Sequence, residues 1–206
     1  MITITRKVQL NVVNADKNAT WKKLYDYNNI VRTAANLIST HQFCLDNLQQ
    51  FLYLKNDIKY EIANVEKDES GILITSRQNT TYQLCSSLFK GQIPMDILGS
   101  LNQAIYKTYN KEKKDYAFGN KSLRNYKSSI PIPFPKKAIK YFEYDKDKKN
   151  YRINLYDFEF ITYLGIDKSN NKTIIDRCLS GEYKLCDSSI QIAKDKKTKK
   201  TKYFFF

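Results

Sequence analysis

Histidine is almost absent: His41 is the only one among 206 residues. A catalytic triad or a histidine-bearing metal site would have to be built on that single side chain. Its place inside a long helical pattern favours a packed or solvated ring instead. Cysteine is also scarce. Cys44, Cys85, Cys178 and Cys186 form no CxxC pair, which argues against a structural zinc. They are too sparse for a secreted disulfide scaffold and read as reduced thiols, mostly in the core. Neither GxxxxGK[ST] nor GxGxxG occurs, so the usual phosphate-cradling loops are missing. No run approaches the ~18–20 apolar residues of a membrane span. The first residues, Met1-Ile-Thr-Ile-Thr-Arg-Lys7, lack the basic-then-apolar layout of a signal peptide. The expectation is a cytoplasmic globular protein with no membrane partner.

What is abundant is positive charge. The chain carries 35 Lys+Arg against 21 Asp+Glu, a net of +14, with 14% aromatic residues. The excess is lopsided: residues 1–100 hold 11 basic and 9 acidic residues, residues 101–206 hold 24 and 12. A basic half rich in tyrosine points to a polyanion, because Lys and Arg release phosphate counterions and aromatic faces stack on unpaired bases. A compositional bias toward Lys, Asn, Ile and Tyr accounts for their abundance, but less well for the one-sided charge.

The N-terminus alternates. Ile2, Ile4, Val8, Leu10 and Val12 share one face and Thr3, Thr5, Lys7, Gln9 and Asn11 the other, with Arg6 interrupting the apolar set. This reads as a half-buried strand of about ten residues. From Asn18 the period becomes helical: Leu24, Val31, Ala35, Ile38, Leu45, Leu48 and Leu52 form one stripe, and Tyr27, Ile30, Ala34, Leu37 and Cys44 a second beside it. Asn18 or Thr20 can cap this helix, and no Pro or Gly breaks the pattern before Gly71. A second helix is expected over 76–89 and a third over 95–114, the latter with Ile97, Leu98, Leu101, Ala104, Ile105 and Tyr109 as its core face. Gly119 ends the helical block.

Then Ile130-Pro-Ile-Pro-Phe-Pro135 places three prolines at alternate positions, an extended segment that cannot be a central strand. Strands are expected over 139–144, 151–155, 158–164, 173–178, 184–192 and 202–206, separated by charged turns. The lone first strand needs partners, and only these later strands can supply them. The fold class is therefore α+β: a small OB-like β-barrel built from 1–14 and 130–206, interrupted by a helical insertion over 15–129.

Leu164-Gly-Ile-Asp167 has the look of a strand-end aspartate that opens a two-metal nuclease site. The following Lys168-Ser-Asn-Asn171 suits a turn, and the other acids nearby are interspersed with bases, so a turn aspartate is the simpler reading. The basic elements say more. Lys121, Arg124 and Lys127 flank Tyr126 just before the proline segment, a pattern that suits phosphates and a stacked base or sugar; a solvated loop is the competing account. Lys194 to Lys202 places six lysines in nine residues, a β-turn tip. Arg32 and Asn36 lie four apart on the first helix, where Asn can read a base edge and Arg can clamp a phosphate or guanine, unless both serve interhelical bonding.

These residues resemble the N-terminal half of the compact type V CRISPR effectors and of TnpB, their transposon-encoded RNA-guided relatives, over essentially the whole chain. Thr3–Asn11 is similar to the opening strand of the wedge domain. Trp21-Lys-Lys-Leu-Tyr25 through Arg32-Thr-Ala-Ala-Asn36 is similar to the first helix of the recognition lobe. Ser122-Leu-Arg-Asn-Tyr-Lys127 with Ile130-Pro-Ile-Pro133 is similar to the segment that re-enters the wedge barrel, and Gly165–Asn171 and Gly181-Glu-Tyr-Lys184 to later wedge strands. The resemblance implies an RNA-guided DNA-recognition module. Its partners would be a guide RNA and target double-stranded DNA, and two copies could share one RNA. Carried over by position, Arg32, Asn36 and Thr40 would face the DNA motif. Lys121, Arg124, Tyr126, Lys127 and Arg152 would contact RNA, with Arg177 and Lys184 as further candidates.

No catalytic or metal-binding residue is expected in this segment. Mg²⁺ would belong only to a RuvC nuclease domain that follows in the family and is absent here, so the segment itself would not cut. Some relatives carry a zinc-binding Cys cluster in the recognition insert, which this sequence lacks. The ending Lys202-Tyr-Phe-Phe-Phe206 reads as an apolar edge strand without a polar close, which leads to the expectation of a longer chain. Two other classes stay open: a stand-alone nucleic-acid-binding regulator such as a nuclease-dead repressor, and a protein-interaction or inhibitor module.

Overall fold

The computed structural model describes residues 4–54, 77–194 and 201–206, with the side chains of 49–54 and 77 excepted. Expectations for Ile2, Thr3, the Leu52 side chain, Gly71, Ser76 and the lysines between 195 and 200 lie outside the described residues. The elements in chain order are β1 (Val8–Val12), α1 (Lys17–Leu54), α2 (Arg77–Phe89), α3 (Met95–Ala117), β2 (Ile132–Phe134), β3 (Ile139–Asp145), β4 (Asn150–Leu155), β5 (Phe158–Tyr163), α4 (Asn171–Leu179), β6 (Ser188–Lys194) and β7 (Thr201–Phe205). A short 3-10 turn, Lys136–Ala138, precedes β3. The class is α+β. The chain divides into two compact units: residues 1–28 with 128–206, and residues 29–127.

The first unit is a curled antiparallel sheet of seven strands in the order β2-β6-β7-β1-β5-β4-β3. β1 finds its partners where the sequence required them, on β5 through Gln9↔Tyr163 to Val12↔Phe160 and on β7 through Val8↔Phe205 to Leu10↔Tyr203. Val8, Leu10 and Val12 are buried together with Ile153, Leu155, Phe158, Phe160, Ile190 and Phe205. The first turns of α1 cover this face: Trp21 stacks on Tyr203 with ring centroids 3.9 Å apart, and Tyr27 meets Phe158 edge-on at 5.5 Å. Lys23 Nζ reaches the Asp157 carboxylate at 2.9 Å, tying the helix to the β4–β5 turn. β2 holds Pro133 at the sheet's edge, where the missing N–H is harmless.

Several expectations are corrected. β1 is five residues long, not ten. Residues 4–7 have no ladder partner because β7 reaches its end opposite Val8, and β5 beyond Tyr163 turns away at Leu164-Gly165. β7 is not an exposed edge, since β6 and β1 pair with it on either side. The last strands are β6 at Ser188–Lys194 rather than 184–192, and the segments 165–170 and 181–187 are loops. Of the cysteines only Cys85 is buried; Cys44 and Cys186 are exposed and Cys178 is partly so.

The largest change is at 173–178, expected as a strand and found in α4. Thr173-Ile-Ile175 favours strand by propensity, but Asp167 starts a helix instead. Its Oδ1 accepts the Asn171 N–H at 2.9 Å and its Oδ2 the Lys172 N–H at 2.7 Å. Burial pushes the Asp167 carboxyl up, but these backbone donors outweigh it and hold its pKa below the ordinary value. Ile175 then packs with Val8 and Tyr151. The Tyr151 hydroxyl donates to the Asp176 carboxylate and lies 3.3 Å from the Lys172 carbonyl, so α4 is anchored on the sheet. Asp167 is thus a helix-starting carboxylate.

The second unit packs the rest of α1 with α2 and α3. Val31, Ala34, Ala35, Ile38 and Leu45 from α1 are buried, as are Cys85 and Ile97, Leu98, Leu101, Ile105 and Tyr109. Polar side chains align the helices: Gln42 Nε2 donates to Thr81 Oγ1 at 2.6 Å, and Asn102 Nδ2 to the Gln78 carbonyl at 2.9 Å. His41 Nδ1 lies 2.8 Å from the same Thr81 hydroxyl, and burial lowers its pKa. The histidine is a packing residue, as its position in the helix suggested. α3 stops at Ala117, and Gly119 follows with φ of +71°, a conformation that suits glycine.

If Asp167 only starts α4, Asp167→Ala should lower stability by about 1 kcal/mol, with an upper range near 2. Thermal unfolding measures it; an unchanged melting temperature contradicts this role.

Candidate nucleic-acid interface

The candidate residues fall in both units. In the helical unit, Arg32, Asn36 and Thr40 recur every four residues along one side of α1, with Arg32 and Thr40 exposed and Asn36 half-buried. Asn36 is held on every side of its amide. Its Nδ2 donates to the Arg32 carbonyl at 3.0 Å and the Tyr126 carbonyl at 2.9 Å, and its Oδ1 accepts the Tyr126 N–H at 2.8 Å. A side-chain amide that pairs both backbone groups of one residue acts as a clasp. It fixes the 121–127 segment along α1 and brings the expected DNA-facing and RNA-facing residues of this unit together.

Two of the three cations of that segment, Lys121 and Arg124, are pre-positioned by acids. Arg124 sends Nε and Nη2 to the two Glu112 oxygens at 2.5 Å each, and Tyr116 donates to the same carboxylate at 2.5 Å. The Arg124 guanidinium, with help from Tyr116, holds the Glu112 carboxyl down at about 2. Burial and the Glu112 carboxylate push the Tyr116 phenol up to about 12. Lys121 Nζ pairs with Asp115 at 2.6 Å, which raises its pKa, while Glu112 is 3.9 Å away. Lys127 is exposed, and Tyr126 is half-buried, with its phenol raised by burial.

In the sheet unit, Arg152 on β4 donates to Asp145 at 2.8 Å. Arg177 on α4 stacks over the Tyr183 ring at 5.4 Å, donates to its hydroxyl at 2.6 Å and lies 3.6 Å from Glu182. Lys184 is exposed on the 181–187 loop that follows α4. The sheet unit holds 22 Lys+Arg against 12 Asp+Glu, a net of +10, and the helical unit 13 against 9, a net of +4.

The sequence reading missed Glu112, the acid that sets Arg124. An (i, i+12) link around a helix end has no periodic signature. It also missed a cleft of about 330 Å³ in the helical unit between Phe43, Asp46, Tyr109, Lys113 and Phe118, which none of the candidate residues line. No cluster of His, Cys, Asp or Glu able to hold a metal occurs among the described residues. Nor, among them, is any helix long and apolar enough to cross a membrane. No protein-family model matches the chain, nor does any curated protein.

Two outcomes follow. Asn36→Ala should destabilise the helical unit by about 1–3 kcal/mol, through the lost clasp, whereas Arg32→Ala should leave stability within about 0.5 kcal/mol. Equal melting temperatures for the two variants contradict the clasp. Because the folded pKa of Glu112 is depressed, its contribution is present above its ordinary 4.5 and lost as pH falls toward about 2. Glu112→Gln should therefore flatten the acid limb of the stability–pH curve in that window; an unaltered limb speaks against it.

Proposed function

We propose that the chain is a nucleic-acid recognition module of the RNA-guided type. The sheet unit acts as an OB-like wedge that grips a guide-RNA scaffold. The helical unit acts as the inserted recognition segment, with the exposed Arg32 and Thr40 facing target double-stranded DNA and Asn36 holding the adjoining segment in place. Lys121, Arg124, Tyr126, Lys127, Arg152, Arg177 and Lys184 are the RNA contacts, and cleavage belongs to a RuvC domain outside this chain.

The observation that carries the reading is the charge distribution: +10 of the +14 lies on the sheet unit. Such an excess repels itself unless a polyanion meets it, and phosphate binding releases condensed counterions. The acids beside the candidate cations are compatible with this role. Arg152, Arg177 and Lys121 make exposed or half-exposed pairs that water screens, so a phosphate can take the carboxylate's place.

The test is binding of the full chain to a structured RNA across a salt series. Affinity should fall on the order of a thousandfold between 50 and 200 mM salt, the response of about six phosphate contacts, and Arg177→Ala with Lys184→Ala should flatten that slope. Salt-independent or absent binding contradicts the reading, as does Mg²⁺-dependent cleavage by residues 1–206 alone.

A further inference from the structure

The sheet's two faces differ in chemistry. One is buried under the first turns of α1 and under α4; among the described residues no element covers the other, called the open face below. On the open face, one cross-strand row runs Gln191↔Phe204↔Gln9↔Tyr163 through β6, β7, β1 and β5. Residues opposite one another in an antiparallel ladder point to the same side, so these four side chains stand in line. Tyr163 is 55% exposed, and Phe204, Gln9 and Gln191 are half-exposed. Phe204 and Tyr163 are two strand spacings apart, about 10 Å, with the Gln9 amide between them.

The row contains no acid. Lys7 stands beside it, with its ammonium 4.1 Å from the Phe204 ring centre and 5.6 Å from that of Phe206. Lys202 shares the face with Phe204 by strand alternation; Arg152, opposite Ile161 in the neighbouring row, is paired by Asp145 and has Glu143 across from it, so the cations that border the row are Lys7 and Lys202. Aromatic rings alternating with amides, and bordered by cations, have what an unpaired nucleotide needs: a π-face for the base, an amide for its edge and a cation for its phosphate.

We propose that this open face is a stacking platform for single-stranded RNA, with Phe204 and Tyr163 each receiving a base, Gln9 and Gln191 reading base edges, and Lys7 and Lys202 meeting the phosphates. The proposal rests on the nucleic-acid reading above and adds a site for unpaired nucleotides to it. Lys7 caps the Phe204 ring in the absence of RNA. A stacking base displaces the ammonium, which then has a phosphate within reach; the exchange is favourable because a base–aromatic stack outweighs an exposed cation–π contact.

The experiment uses the full chain with two probes, a 12-nucleotide RNA without secondary structure and a 12-base-pair RNA duplex. Phe204→Leu combined with Tyr163→Leu keeps apolar volume and removes the π-faces. It should weaken single-strand binding about tenfold or more while leaving duplex affinity within about twofold and the salt slope unchanged. Phe204→Trp with Tyr163→Phe should retain wild-type single-strand binding, which separates stacking from folding. Equal losses on both probes, or none, overturn the platform. So does a wild-type dimer that the leucine substitutions disperse, because the face would then belong to a second copy. A wild-type chain that binds neither probe defeats the nucleic-acid reading itself and the platform with it.

Discussion

The two hydrogen-bonded seams of β1 organise the molecule. This five-residue strand joins β5 on one side and β7 on the other, so the chain's beginning is stitched between strands from its last third. The pairing buries Val8, Leu10 and Val12, sets Gln9 in the middle of the open row, and carries α1 onto the sheet through Trp21 and Tyr27. Residues 29–127 are thereby left to form a unit of their own. Such contacts are long-range, so the sheet unit needs both the first strand and the last third of the chain.

Electrostatics follows from the same arrangement. Four of the cations that sequence reading selected, Lys121, Arg124, Arg152 and Arg177, are held in place by acids. Glu112 gathers Arg124 and Tyr116, Asp145 holds Arg152, and Glu182 with Tyr183 holds Arg177. A cation fixed by a weak, exposed ion pair loses less side-chain freedom when it meets a phosphate than a free one does. Asn36 works the same way through the backbone of Tyr126, and the binding geometry is preset by residues that need not touch the ligand.

Much of this was legible in the sequence. The alternation of Val8, Leu10 and Val12 announced a half-buried strand, and the demand that it be paired correctly predicted distant partners. Alternating prolines correctly marked 131–135 as unfit for a central strand, and Pro133 sits at the edge. The largest miss arose where specific partners overrode strand propensity. Thr173-Ile-Ile175 reads as strand, yet Asp167 caps two backbone N–H groups and Tyr151 anchors the turn that follows, so a helix forms. The Asn36 clasp and the Glu112–Arg124 pair were invisible because neither obeys a short period. The open row of Phe204, Gln9 and Tyr163 required the register, which no single strand contains.

The central claim is that the sheet unit, not the helical unit alone, holds RNA. Hydrogen–deuterium exchange of the full chain with and without a structured RNA tests it most directly. The account predicts RNA-dependent protection in the loop 181–187, in α4 and around 121–127, with the buried strands unchanged. Protection confined to α2 and α3, or none at saturating RNA, would contradict it.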